Sequence, residues 1–151
     1  MRRATTAVLA LMLSTLAPVR GEPDNKVTHI PSARVAAAFS QGAPLLETGS
    51  YKVHASLRQA PGMAEVHLRD TDIIYVLEGG ATIVTGGRVV DGSATAPDEI
   101  RGRSIRGGAE QQLAKGDVFI VPDGVPHWFT RVEAPFRYYV VKSTTPEGGR
   151  R

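Results

Sequence analysis

The chain is predicted to fold as an all-β single domain, and three observations carry that expectation. From residue 45 onward, apolar residues come in short runs of strand length and strand composition. Glycine and proline clusters punctuate the runs: Ala60-Pro61-Gly62, Gly79-Gly80, Gly86-Gly87 and Pro122-Asp123-Gly124. One stretch, Ser32 to Phe39, has a helix-forming composition. Many short strands with such turns pack as a sandwich or a barrel.

Residues 1–21 read as a secretion signal. Arg2-Arg3 is a basic start, Ala7 to Leu16 is an apolar stretch, and Val19-Arg20-Gly21 is a small-residue exit. The apolar stretch is too short for a stable membrane span. An uncleaved anchor and a twin-arginine signal are the competing readings. Export implies a periplasmic or secreted protein.

Residues 22–44 are a polar lead-in with one short helix, Ser32 supplying a possible N-cap and Gln41-Gly42-Ala43-Pro44 the stop. Tyr51 to Arg58 alternates, with Tyr51, Val53, Ala55 and Leu57 on one face and Lys52, His54, Ser56 and Arg58 on the other. The polar face lines an interior or meets solvent, and solvent is the default for a half-buried strand. Met63 to Leu68, Asp72 to Leu77, Ala81 to Thr85, Val118 to Val121, His127 to Arg131 and Phe136 to Lys142 are further strands. Val89 to Ala109 reads as a long, polar, glycine-rich connection, either a solvated excursion or a lid. Residues 143–151 read as a disordered tail.

With 151 residues, one domain is expected. The formal charge of +3 resides in Arg2, Arg3 and Arg20, so a chain cut before Glu22 is balanced. Nothing in that balance suggests a nucleic-acid or anionic-membrane partner. There is no cysteine. Thiol catalysis and thiolate ligation are therefore excluded, and any metal must be held by nitrogen and oxygen donors.

The most informative stretch is Gly116-Asp-Val-Phe-Ile-Val-Pro122-Asp-Gly124-Val-Pro-His127. A strand, a tight turn and a return strand that opens on His127 aim this imidazole into the sheet's interior. The spacing resembles the second motif of cupins, G-x5-P-x-G-x2-H-x3-N, with Arg131 in place of the final asparagine. Upstream, Glu65-Val-His67-Leu-Arg-Asp-Thr-Asp72-Ile-Ile-Tyr-Val-Leu-Glu-Gly79 resembles the first cupin motif in its intervals. There Glu65 replaces a histidine and Asp72 a glutamate, and the leading glycine is out of register. The resemblance spans residues 45–142. It implies a double-stranded β-helix, a jelly-roll barrel, with a metal site in its lumen and a homodimeric assembly.

On that resemblance Glu65, His67, Asp72 and His127 are the expected metal ligands. Glu65 and His67 are two apart on one strand and so share a face. Glu65 is alternatively a general base or an arginine partner, and Asp72, one methylene shorter than glutamate, has less reach. Two imidazoles with carboxylates suit a divalent transition metal, manganese or iron first, with zinc and nickel allowed. Arg131 shares the lumen face with His127 if the strand is regular. There it would pair with a substrate anion, or with Glu65 or Asp72. Gly62, Gly79, Gly116 and Gly124 are expected at positive φ.

Two functions compete. One is a metal-dependent enzyme for a small polar or anionic substrate, with Glu65 and Arg131 as its catalytic candidates. Oxygenase, isomerase, lyase and decarboxylase chemistry all fall within what the resemblance implies. The other is a non-catalytic periplasmic binding protein for a small ligand, with or without metal.

Overall fold

The computed structural model describes residues 19–20 and 23–148. The expected signal lies outside the described residues except for Val19–Arg20. The chain runs β1 (Val19–Arg20), α1 (Ser32–Gln41), β2 (Ala43–Glu47), β3 (Tyr51–Arg58), β4 (Ala64–His67), β5 (Asp70–Thr85) and β6 (Arg88–Val90). It continues β7 (Ser93–Ala96), β8 (Glu99–Gly102), β9 (Ser104–Arg106), β10 (Ala109–Ala114), β11 (Val118–Val121) and β12 (His127–Thr144). The architecture is the expected all-β barrel of jelly-roll type, with one short helix. Among the described residues no helix is long and apolar enough to cross a membrane.

Two long strands build the barrel. β5 and β12 pair antiparallel along both of their halves, His127 to Glu133 against Thr85 to Gly80, and Arg137 to Thr144 against Glu78 to Asp70. β3 flanks β12, while β10 and β11 pair with the two halves of β5. Gly79-Gly80 was expected to be a turn between two strands. Instead β5 runs through it and bends there. Gly79 has φ 74°, and an added Cβ would meet Pro135 O at 2.5 Å and Glu133 O at 2.6 Å. Only glycine satisfies both the dihedral and the close approach.

Inside the barrel, Ile74, Val76, Ile83, Leu113, Phe129, Phe136, Tyr138 and Val140 form the main core. Removing such side chains from water is the dominant favourable term, about 1.5–3 kcal/mol for each large one. A second cluster lies on the outer face, where α1 packs Ala38, Val35 and Phe39 against Leu45, Ala55, Val53 and Tyr139. The helix begins as expected, with Pro31 rather than Ser32 as N-cap. It stops at Gly42, whose φ of 68° lets its N–H reach Ala38 O.

The connection expected from Val89 to Ala109 is structured. β8 pairs with β4, setting Glu99 opposite His67 and Arg101 opposite Glu65. β7 pairs with β8, and β6 with β9. Backbone groups of this polar segment are satisfied by a sheet edge, a long-range pairing that its composition does not announce. The segment is therefore part of the wall. β12 runs two residues past the expected end of the barrel at 142, and Thr145 N–H donates to Arg69 O at 2.7 Å.

Candidate functional site

The barrel lumen forms a cavity of about 390 Å³, open at its mouth and of a size for a small organic ligand. β4 brings Glu65 and His67, β5 brings Asp72, and β12 brings His127. The turn between β11 and β12 is tied to β4, since Gly124 N–H donates to His67 O at 2.8 Å. Gly124 sits at φ 76° to make that turn. One hydrogen bond thus joins the segment carrying the first motif to that carrying the second.

His127 is 4 % exposed and His67 9 %. The His127 Nδ1–H donates to Val125 O at 3.3 Å, which leaves Nε2 with its lone pair for the lumen. Burial holds His127 below the ordinary histidine value. His67 is lowered too, by burial first and then by the charge of Lys142. Neutral imidazole is the form that binds a metal. The two rings lie 5.1 Å apart.

Glu65 Oε2 lies 3.7 Å from His67 Nε2 and 3.9 Å from His127 Nε2. Its other oxygen, Oε1, faces Arg101 at 3.6 Å and Arg58 at 3.8 Å. The carboxylate is thereby oriented, one oxygen toward two guanidiniums and the other toward two imidazoles. Donor atoms of Glu65, His67 and His127 all lie within 4.8 Å of one another, close enough to hold one metal ion.

Asp72 is as near the imidazoles as Glu65, its Oδ2 being 3.5 Å from His67 Nε2 and 4.0 Å from His127 Nε2. Its oxygens are nevertheless engaged. Lys142 Nζ lies 2.7 Å from Oδ1 and 2.8 Å from Oδ2, and 2.9 Å from His67 Nε2. An ammonium only donates, so His67 Nε2 is the acceptor and its proton sits on Nδ1.

Arg131 is not in the site. β12 is not regular, because the register shifts between Phe129 and Arg131 and leaves Thr130 as an extra residue. The slip turns Arg131 outward, exposed beside Thr82, Gln112 and Glu133. The cations that do line the lumen are Arg58, Arg101 and Lys142. Arg58 belongs to the polar face of β3 that was expected to meet solvent; His54, Ser56 and Arg58 line the cavity instead. Arg58 Nε–H donates to Tyr138 Oη at 3.1 Å, and its guanidinium carbon is 4.5 Å from the Phe129 ring centroid. Tyr138 is raised above the ordinary tyrosine value, by burial first, so the phenol stays protonated. Arg101 pairs with Glu99, whose burial would raise it but which Arg101 holds below the ordinary carboxylate value.

Gly62, expected at positive φ, is not so placed. Trp128 Nε1–H donates to Gly62 O at 2.8 Å, and a Cβ on Gly62 would meet Arg58 Nη1 at 2.6 Å.

The family profile described as Cupin matches residues 21–149, so the chain belongs to the cupins. Among solved structures, the Bacillus halodurans protein BH2720 is similar, with a TM-score of 0.56 at 12 % identity over 82 % of this chain and 86 % of that one. A cupin-2 domain protein of Shewanella frigidimarina has a TM-score of 0.48 at 14 % identity, over 76 % of this chain and 93 % of its own. The DMSP lyase DddQ of Ruegeria pomeroyi has a TM-score of 0.46 at 18 % identity, over 68 % of this chain and 42 % of its own. At these identities the likeness is one of fold. No curated protein matches the chain closely enough in sequence to count as a relative.

Proposed function

We propose that the chain is an exported single-domain cupin that binds a divalent metal through Glu65, His67 and His127 and acts on a small anionic organic substrate in the lumen. One observation carries this reading: two neutral imidazole nitrogens and one carboxylate oxygen converge within 4.8 Å. Two histidines and a carboxylate with open positions are a sound set for manganese or iron, and admit zinc and nickel. When bound, the metal would supply Lewis-acid polarisation of a substrate oxygen.

The protein's own groups do the rest. Val125 O fixes the His127 tautomer, and Arg58 and Arg101 fix the Glu65 carboxylate. The same two guanidiniums are the lumen's planar donors for a substrate carboxylate, the role first expected of Arg131. Phe129 and Val140 give the cavity an apolar wall that limits water.

The test is metal content of the untagged protein by plasma mass spectrometry, beside a His127→Ala variant. Near-stoichiometric metal that disappears in a folded variant supports the reading. Absence of metal after reconstitution with manganese, iron, nickel and zinc would sink it.

A second reading, a metal-free ligand-binding cupin, is favoured by Lys142. Its ammonium already supplies a cation at Asp72 and His67. The homodimer is also proposed. The outer face of β5 and β11 presents cross-strand pairs Tyr75–Val118 and Ile73–Ile120, all exposed, a small apolar face for a second copy. A single monomeric mass by light scattering at micromolar concentration would count against it.

A further inference from the structure

The lumen's third cation sits where a metal is wanted. Lys142 Nζ is 2.9 Å from His67 Nε2, the nitrogen that completes the Glu65, His67 and His127 set. That nitrogen has one lone pair, and the ammonium takes it as an acceptor. A metal ion on His67 needs the same lone pair. Two cations cannot share it, and like charges that close repel strongly in a buried site.

The placement of Lys142 is built into the sheet. It stands directly opposite Asp72 in the β12–β5 register, so both side chains leave the same face. Asp72 accepts from the ammonium with both oxygens, at 2.7 and 2.8 Å. The two side chains are 12 % and 7 % exposed. A buried carboxylate with a lysine on both its oxygens is committed to that lysine. Glu65, in contrast, meets its arginines through Oε1 and turns Oε2 to the histidines.

We infer that Lys142 is the resident cation at His67, held there by Asp72, and that a divalent metal entering the Glu65, His67 and His127 cluster must displace its ammonium from His67. This rests on the metal reading above. It gives Asp72 and Lys142 roles that the motif pattern does not. Asp72 serves the lysine and not the metal, and metal affinity is set by a competition inside the protein. With metal bound, the ammonium keeps Asp72 as its partner beside the site.

The deciding variant is Asp72→Asn/Lys142→Met in the full chain. It removes the competitor, leaves no lone buried charge and keeps the net charge of the lumen unchanged. Binding is read by titrating cobalt(II) and following its visible absorption, with folding checked by circular dichroism melts. The expected result is affinity at least about tenfold tighter than that of the parent protein, the worth of one hydrogen bond from a charged donor. If Asp72 were a ligand, the same variant would bind more weakly. Equal or weaker binding in a folded variant overturns the inference while the metal reading stands. Cobalt binding by the variant alone supports the inference and removes the metal from the parent protein's resting state. Failure of both proteins to bind cobalt overturns the inference and the metal reading together. Should that double variant not fold, Asp72→Leu/Lys142→Met, which also removes both charges, is read by the same criteria.

Discussion

Lys142 and Asp72 face each other across β12 and β5, and one ammonium bridges both carboxylate oxygens at 2.7 and 2.8 Å. Both are nearly excluded from solvent. Breaking such a pair on one side strands a charge, whereas removing both partners does not. Asp72→Ala is expected to lower stability by about 3–5 kcal/mol. Asp72→Leu/Lys142→Met is expected to cost far less. Urea denaturation of the metal-free proteins checks this, and equal losses in the two variants would show that the pair is not the cause.

Acid is expected to weaken the metal-free protein in a window set by its histidines. His54, His67 and His127 are each held below the ordinary histidine value, by burial first in all three. Unfolding restores that value, so the unfolded chain binds more protons below about pH 6.5. Their contribution is complete above that pH and is lost as the pH falls toward their folded values. Denaturation midpoints measured from about pH 7.5 to about pH 5 should fall, and His127→Gln should flatten part of the slope. An unchanged slope in that variant would remove His127 from the account.

The two guanidiniums on Glu65 and the one on the outer surface give opposite expectations. Arg58→Ala or Arg101→Ala should weaken binding of a small carboxylate ligand by about tenfold or more, through loss of a charge-assisted bond. Arg131→Ala should leave binding unchanged and move stability by no more than about 0.5 kcal/mol. Calorimetric titration of the three variants decides it, and an Arg131→Ala protein that loses the ligand would return that residue to the site.

Two glycines separate steric crowding from backbone strain. Gly79 and Gly116 both have positive φ, 74° and 94°. An added Cβ at Gly79 meets backbone oxygens at 2.5 and 2.6 Å, while at Gly116 it meets nothing within 4 Å. Gly116→Ala should cost about 1–2 kcal/mol, the strain alone. Gly79→Ala should cost clearly more, since β5 or β12 must move. Thermal melts of the two variants check the order, and equal costs would mean that the bend at Gly79 yields easily.

The motifs were legible because strand geometry fixes intervals. Glu65 and His67 two apart, Asp72 at the start of the next run and His127 after a proline–glycine turn all converge, although two of the four differ in type from the family pattern. Arg131 failed because one extra residue at Thr130 reverses the parity on which its placement depended, and nothing local marks that bulge. Arg101 and Glu99 were hidden in a polar segment whose pairing with β4 is set at long range. Lys142 was within reach. Tyr138 and Val140 are buried at alternate positions of β12, and Lys142 continues their face. By sequence it is only the last residue of the strand Phe136 to Lys142, with no role assigned to it. The polar face of β3 misled for a related reason, because a barrel with a polar lumen inverts the usual sense of alternation.

The long pairing of β5 with β12 also sets an order of events. Asp72 meets Lys142 across a sequence separation of 70, and His127 opens the last strand among the described residues. Contacts so distant in sequence form late and slowly. No half-made chain can present the complete cluster of imidazoles and carboxylates. The site therefore first exists once His127 and Lys142 have joined the sheet, and the ions dissolved where that happens are the ones it meets first.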